Sequence, residues 1–548
     1  MPAVLFWTAA LVCTFCCLGT RGLWGSEDRW AEIAREMRLT GDYTHPCING
    51  SPYFDKPLLG YWLILPFAAV AGRVDEVVAR LPSVLAGLVA LGATLSLARR
   101  LGTTRQARAA GWIFLTMWGF MFWARTAEAD MENLAAIVLA VAWYWARRDR
   151  PGFLAYLVFY LICFVGAQTK GMAAIALPVV IVLPDVVKDN RWRSYLSASH
   201  AWALLLGLGV YLVPLVYAEL TRSGYGESGL YMAFKENIVR YFQPFDHKEP
   251  FYVYFGYVPE LVFPWTPLSL AAVWGAVATF RTSDWPRKWL TLSVLLIFLF
   301  FTVSGSRRSY YILPILPFLA ILTACVFDAE AADRWTRLAL TIQGGLLWGI
   351  AAFEIFSPAI WPVLKSRIGF VASRDLVYAT AVLGSLAAMS LLAERIWPNL
   401  QSRFTGVGPK LGPLVVAFVI LVGGYFVLQD GILDRNRTIK PFSLELRERM
   451  GAVAPENIAF FGQCPTKAVF YLGQVRPMRI LSDIDEVRSF LTPDGTTKVV
   501  ISRDRFLKEL VPALPKEATA EPTLKEKKKP WEKQKDPFVA WIIPDRAR

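Results

Sequence analysis

The sequence is short of charge. Asp, Glu, Lys and Arg make up 19% of its 548 residues, where a soluble globular chain carries about a quarter. The deficit is local: it comes from long apolar runs that recur from the N-terminus to about residue 430, and the remainder has the composition of soluble protein. Cysteine frameworks are missing too. Of seven Cys, Cys13, Cys16, Cys17 and Cys163 lie inside apolar runs and read as small hydrophobes. No CxxC…CxxC pair occurs, which excludes a zinc ribbon or an iron–sulfur site. No repeat of solenoid period is present. The first run, 2–20, lacks a basic leader and is followed by no A-x-A-like site. It is therefore expected to be an uncleaved first transmembrane helix.

What is present is apolar sequence in long blocks: 55% hydrophobic residues and a mean hydropathy of +0.39. A helix needs about 20 apolar residues to cross the hydrocarbon core. Runs near 2–20, 80–98, 110–126, 132–146, 152–168, 171–187, 200–218, 256–280, 289–304, 310–327, 338–356, 376–393 and 411–429 approach that length, about thirteen spans by this criterion. The net charge of +14 is explained by Lys and Arg in short loops between these runs. It calls for no nucleic-acid partner.

Segment 57–72, PLLGYWLILPFAAVAG, has the length of an interfacial helix rather than a span. Leaving it out of the count puts the basic loops 99–108, 147–150, 188–193, 281–288 and 394–410 on one face, the cytoplasmic one by the positive-inside rule. No Gly-rich phosphate loop occurs in these loops, so no nucleotide site is expected. Segments 27–72 and 219–255, and the tail, then face outward. Trp30, Ile33, Ala34 and Met37 recur at helical spacing, which predicts an amphipathic surface helix over 27–39. Glu32, Arg35 and Glu36 read as part of that anchor.

The expected organisation is a transmembrane part, 1–430, and an extracytoplasmic α/β domain, 431–548. In the tail, 457–461, 467–473, 478–481, 498–502 and 538–543 read as strands, and 483–491 and 503–511 as helices. The Lys-rich stretch 516–536 reads as a solvated loop.

Charged and polar residues collect where the outward loops meet the spans. Glu27 and Asp28 are adjacent acids after the first run, suited to a general base or a helix N-terminal charge. YFDKP (53–57) sets Asp55 beside Lys56 between aromatics and a proline. That arrangement suits an anion next to an apolar groove, because Lys holds phosphate as a point charge. Asp130, Lys170 in QTKG, and Arg307 and Arg308 in SGSRRSYY stand at corresponding helix mouths. Singly, such cations also serve as snorkelling anchors. With the acids they point to a lipid phosphate held among cations while a carboxylate positions an acceptor. Ionisable residues at membrane depth are costly and usually functional.

These motifs resemble the bacterial aminoarabinose transferase family, membrane glycosyltransferases of the GT-C fold related to the protein O-mannosyltransferases. The resemblance runs from residue 23 to about 320. It rests on SEDRWAEIAREM, GDY (41–43), YFDKPLLGYW (53–62), ARLPSVLAG (79–87), Asp130, TKG (169–171), Arg240, HKEPF (247–251), PW (264–265) and SRRSYYILPILP (306–317).

The resemblance implies a polytopic α-helical enzyme in the bacterial inner membrane with its site on the outer face. It implies a polyprenyl-phosphate sugar as donor and a lipid, glycan or protein acceptor, lipid A in that family. By position, Glu27, with Asp28 as its alternative, stands for the first catalytic acid, and Asp130 for the second. Tyr53, Lys56, Lys170, Arg240, Arg307 and Tyr311 stand for the donor phosphate and lipid site. Asp55 and His247 match a carboxylate–His pair that looks like a metal site. Two O/N ligands suit zinc but do not define a site, so no cofactor is required. The family's Asp-Glu is Glu-Asp here with one residue missing before the Arg, its Glu before the Lys is Asp55, and RRSYY lacks a Pro. The acceptor class therefore stays open. A transporter or flippase for a lipid-linked sugar is the alternative.

Overall fold

The computed structural model describes residues 2–188, 190–221, 229–235, 239–243, 247–328, 334–368, 373–397, 400–434, 438–515, 521–526 and 536–544. It is a polytopic helical assembly followed by a small mixed sheet. Among the described residues seven helices are long and apolar enough to cross a membrane: Glu76–Leu101, Ala198–Leu220, Trp285–Val303, Ser309–Phe327, Arg334–Ile355, Arg374–Ala393 and Gly412–Leu433. Shorter apolar helices include Ala3–Phe15, Phe153–Thr169 and Thr266–Ala278.

Local chemistry sets the helix ends. Asp75 caps Glu76–Leu101 by accepting the Val78 N–H at 3.0 Å. Thr103 and Gln106 form a reciprocal capping box at 3.1 and 2.8 Å. Two expected spans are interrupted. The run 256–280 divides into Tyr254–Val262 and Thr266–Ala278, because Pro264 and Pro267 remove backbone donors at the break. The run 110–126 divides into Thr104–Leu115 and Trp118–Trp123. Segment 57–72 folds as two helices, Leu59–Trp62 and Leu65–Ala71, both too short to cross a bilayer.

The amphipathic helix forms over Glu27–Thr40 and ends on Gly41 in the left-handed region. Its environment differs from a membrane-surface anchor. Trp30, Ile33, Ala34 and Met37 are buried with Leu58, Tyr61 and Ile64, so protein rather than lipid covers the apolar face. The polar residues hold the C-terminal segment. Arg35 pairs with Glu32 at 2.6 Å and donates to the Gln474 carbonyl at 2.8 Å. Glu36 accepts the Asn49 and Gly50 N–H groups, and the Asn49 side chain exchanges hydrogen bonds with the Met478 backbone at 2.9 and 2.8 Å.

Burial, and then the neighbouring Glu32 carboxylate, push the Glu36 pKa up to about 7. A carboxyl raised in the folded state stabilises the fold below its unfolded pKa of about 4.3. That contribution is lost as pH climbs through the folded value. Stability is therefore expected to fall between about pH 5 and 7 on account of this group. Thermal unfolding in detergent across that range checks it: Glu36→Gln should flatten the slope, and an unchanged slope would remove Glu36 from the account.

The C-terminal sheet has the order Arg479–Leu481, Ile458–Phe461, Lys498–Arg503, Phe538–Ile543, Leu524–Lys525. Its first three strands are parallel and the last two pair antiparallel. Four predicted strands form. The fifth, 467–473, is instead the helix Thr466–Leu472. Its run Ala468–Leu472 is buried throughout, a pattern that fits a buried helix as well as a strand. Gly473 at φ +66° ends it as a left-handed cap. Helices form over Ile484–Phe490 and Leu507–Leu510 as expected. Strand Leu524–Lys525 arises inside the stretch read as loop, much of which lies outside the described residues.

Candidate functional site

Two polar centres adjoin the helix Glu27–Thr40, and they differ in kind. The first is closed. Glu27 is completely buried. Its carboxylate takes a two-pronged contact from Arg80, both at 2.7 Å. It also accepts the Trp24 and Ala127 N–H groups at 2.7 Å each and Arg21 at 3.5 Å. Arg80 donates besides to the carbonyls of Leu18, Arg21 and Gly22. Burial alone would raise the Glu27 pKa, but Arg80 and Arg21 hold it down at about 2. A carboxylate so saturated has little affinity for a further proton. Asp28 is buried beside it, raised by burial and countered by Lys467. Neither acid lines the second centre.

The second centre is a cavity of 380 Å³ lined by Lys56, Asp130, Lys170, Tyr310 and Tyr311, with Met172, Ile175, Phe300 and Phe301 among its apolar walls. Asp130 opens the helix Asp130–Arg147, where a helix N-terminus favours negative charge. Lys170 follows the helix Phe153–Thr169 and pairs with Asp130. Its ammonium also lies 4.7 Å from the Tyr310 ring centre. The Asn133 amide donates to the Gly171 and Gly166 carbonyls at 3.0 and 3.3 Å, which fixes the QTKG turn against the Asp130 helix. Lys56 reaches Asp55 at 3.0 Å. Asp55 also meets Arg29 at 3.4 Å and accepts the Tyr53 hydroxyl at 3.1 Å.

Gly60 brings the Lys56 segment close. A Cβ there would stand 2.3 Å from the Trp30 ring and 2.7 Å from the Thr169 carbonyl, so only glycine lets YFDKPLLGYW pack against the end of the Lys170 helix.

The cavity thus gathers four of the expected residues: Lys56, Lys170, Asp130 and Tyr311. Tyr53 and Asp55 stand behind Lys56. Arg307 is turned to the backbone, donating to the Thr302 carbonyl at 2.9 Å and the Glu249 carbonyl at 2.5 Å. Its N–H meets the His247 carbonyl at 2.9 Å, so it shapes the 247–249 loop. Arg240 opens the short helix Arg240–Phe242, and its side chain lies outside the described residues. Among the described residues no three His, Cys, Asp or Glu form a metal-holding group.

Sequence reading missed Glu128. It is buried and accepts the Ser26 N–H at 3.0 Å. Burial raises its pKa to about 6, with Lys170 pulling down and Asp130 pushing up. Its place two residues before Asp130 was the available signal. Tyr310 and Asn133 were missed as well; aromatic and amide residues at helix ends are too common to single out.

The geometry invites comparison with known proteins. Residues 55–217 match the dolichyl-phosphate-mannose-protein mannosyltransferase family. An undecaprenyl phosphate-alpha-4-amino-4-deoxy-L-arabinose arabinosyl transferase of Pseudomonas paraeruginosa is 30% identical over 361 residues, 64% of this chain and 63% of that one. A Proteus mirabilis protein of the same description is 28% identical, covering 61% of each chain. The match therefore spans under two thirds of these relatives' length. In fold, the chain is similar to ArnT from Cupriavidus metallidurans, in a crystal structure bound to undecaprenyl phosphate. The TM-score is 0.76 and the identity 20%, over 98% of this chain and 97% of that one. In sequence the chain is similar to undecaprenyl phosphate-alpha-4-amino-4-deoxy-L-arabinose arabinosyl transferases over part of their length, and its architecture is the ArnT-like GT-C membrane fold.

Proposed function

We propose that this chain is an inverting membrane glycosyltransferase that moves a sugar from a polyprenyl-phosphate donor to a lipid, glycan or protein acceptor, with a lipid A-type acceptor favoured. The observation that carries the reading is the convergence of Lys56, Lys170 and Asp130 in one cavity with aromatic and aliphatic walls. Cations there suit the phosphate, and the apolar walls suit a prenyl chain.

In this reading the acceptor hydroxyl attacks the anomeric carbon. The bond from that carbon to the phosphate oxygen breaks, and polyprenyl phosphate leaves with the electron pair. Lys56 and Lys170 stabilise the charge that grows on the leaving phosphate. Asp130 takes the acceptor proton. A bound phosphate competes for Lys170, which loosens its pairing with Asp130 and leaves the carboxylate available as base. Glu128 serves as a second carboxyl beside it, two residues earlier in the chain. Glu27 is a structural partner of Arg80 in this scheme. Arg307 acts through the loop it braces, and Asp55 positions Lys56. Zinc at Asp55 and His247 stays a subsidiary proposal that the transfer chemistry does not need.

Incubation of purified protein with radiolabelled polyprenyl-phosphate sugars tests the function. Transfer gives free polyprenyl phosphate together with a labelled acceptor. Movement of intact donor across vesicles without bond cleavage would replace this reading with a flippase.

Lys56 supplies a sharper test. Its charge should matter more than its shape, so Lys56→Arg should keep partial donor binding and Lys56→Met lose most of it. Unchanged donor affinity in folded Lys56→Met protein would reduce the residue to an anchor.

We also propose that the chain divides near residue 430 and that the cavity and the C-terminal sheet face away from the cytoplasm, as the basic loops require. In a background freed of native cysteines, Cys at exposed positions 42 and 494 should label from outside with an impermeant reagent, and Cys at 104 and 281 should not. The reverse pattern inverts the topology.

A further inference from the structure

A second polar cavity lies at the other end of the helix that carries Asp130. Its volume is 690 Å³. It is formed where loop 147–150 meets segment 190–195 and the start of the helix Ala198–Leu220. The helix Asp130–Arg147 has 18 residues and so spans about 27 Å, close to the thickness of a hydrocarbon core. In the topology proposed above, the two cavities sit at opposite membrane faces.

Four guanidiniums line this cavity, those of Arg147, Arg148, Arg191 and Arg193. Two are committed. Arg148 meets Asp185 at 2.9 Å, and Arg191 meets Asp149 at 2.9 Å and the Arg148 carbonyl at 2.6 Å. The Arg191 contacts fix the two loops against each other, and the Arg148–Asp185 pair ties the first loop to the helix Ala173–Lys188. Arg147 and Arg193 lie against aromatic rings, Trp143 and Trp192, at 5.0 and 5.7 Å, and pair with no carboxylate among the described residues. Among the described residues two positive charges thus remain in excess at the rim. The opposite wall is apolar and continuous with the exposed face of the helix Ala173–Lys188: Val179 and Leu183 line the cavity and are 42% and 52% exposed.

Excess cation at a membrane face, joined to an aliphatic groove open to the bilayer, matches a molecule with a phosphate at one end and an acyl chain at the other. We propose that this cavity binds an anionic phospholipid, with its phosphate between Arg147 and Arg193 and an acyl chain along Val179 and Leu183. The site is separate from the transfer chemistry and stands whether or not that reading holds. Snorkelling alone explains scattered cations. It does not explain why Asp149 joins the two loops and Asp185 anchors the first of them to a helix so that both surplus guanidiniums border one cavity.

Native mass spectrometry of the full chain, delipidated in a non-ionic detergent, tests the proposal by titration with phosphatidylglycerol, phosphatidylcholine or inorganic phosphate. Saturable binding of phosphatidylglycerol in preference to phosphatidylcholine is expected. Each basic residue at an anionic surface is worth about fivefold in affinity, so the double variant Arg147→Gln, Arg193→Gln should bind roughly 30-fold more weakly. Arg99→Gln with Arg100→Gln, a basic pair outside the cavity, should bind as wild type. Leu183→Asp, which places an acid in the acyl groove, should also weaken binding while leaving all four arginines in place. Equal loss in both arginine pairs, equal affinity for the two lipids, or displacement of the lipid by inorganic phosphate at the same concentration would overturn the site.

Discussion

Asp130→Asn is expected to lower turnover at saturating donor by about 10²–10⁴-fold, the usual contribution of a general base. Asp130 lines the cavity with both lysines, whereas Glu27 and Asp28 do not. The substitution keeps the size of the side chain and an acceptor for Lys170, so the loss should fall on kcat more than on KM. Donor binding should change modestly, and in the favourable direction, because Lys170 is freed from its carboxylate partner for the phosphate. A raised KM with normal kcat would make Asp130 a binding residue and move the base to Glu128, which Glu128→Gln then tests. The sign of the donor-binding change is informative in itself, since loss of the turn that holds Lys170 would weaken binding.

The other large effect concerns stability. Removing one partner of a buried ion pair costs about 3–5 kcal/mol, because the remaining charge is stranded. Glu27 and Arg80 are both almost inaccessible, at 0% and 1% side-chain exposure, and Arg80 also satisfies three backbone carbonyls of the 18–22 turn. Arg80→Met should therefore unfold at a markedly lower temperature in detergent, and Glu27→Leu nearly as much. The double variant should recover part of the loss, since neither Glu27 nor Arg80 then strands the other's charge. It should not recover all of it, because the three carbonyls stay unsatisfied. Glu27→Gln is the decisive case for the assignment. The amide keeps some of the hydrogen bonds, so activity per folded molecule should remain near normal. A 10²-fold fall in kcat in stable Glu27→Gln protein would return Glu27 to the chemistry.

Much of the candidate site was legible because its residues are chemically conspicuous. Lys56, Lys170 and Asp130 are charges at the ends of apolar runs, a placement that membranes penalise, and each could be picked out along the chain. The amphipathic period of 27–39 likewise gave the helix. Composition and hydropathy determined that the chain is a polytopic helical membrane protein with a soluble-type tail, because the bilayer imposes segment length and polarity directly on sequence.

What faces what was decided only by tertiary structure. Periodicity reports that Trp30, Ile33 and Met37 share a face but is silent on whether lipid or protein covers it; Leu58, Tyr61 and Ile64 cover it. An all-apolar stretch such as Ala468–Leu472 carries no period, so packing and the Gly473 cap made it a helix. The two acids 27 and 28 look equivalent in sequence. Arg80, 53 residues away, closes over Glu27 and not over Asp28, and the choice between base and strut depends on that distant guanidinium. Sequence determines which charges exist. Their pKa values and roles depend on partners that only the folded chain brings within a few ångströms, because electrostatic interaction in a buried site falls off with distance in space and takes no account of separation along the chain.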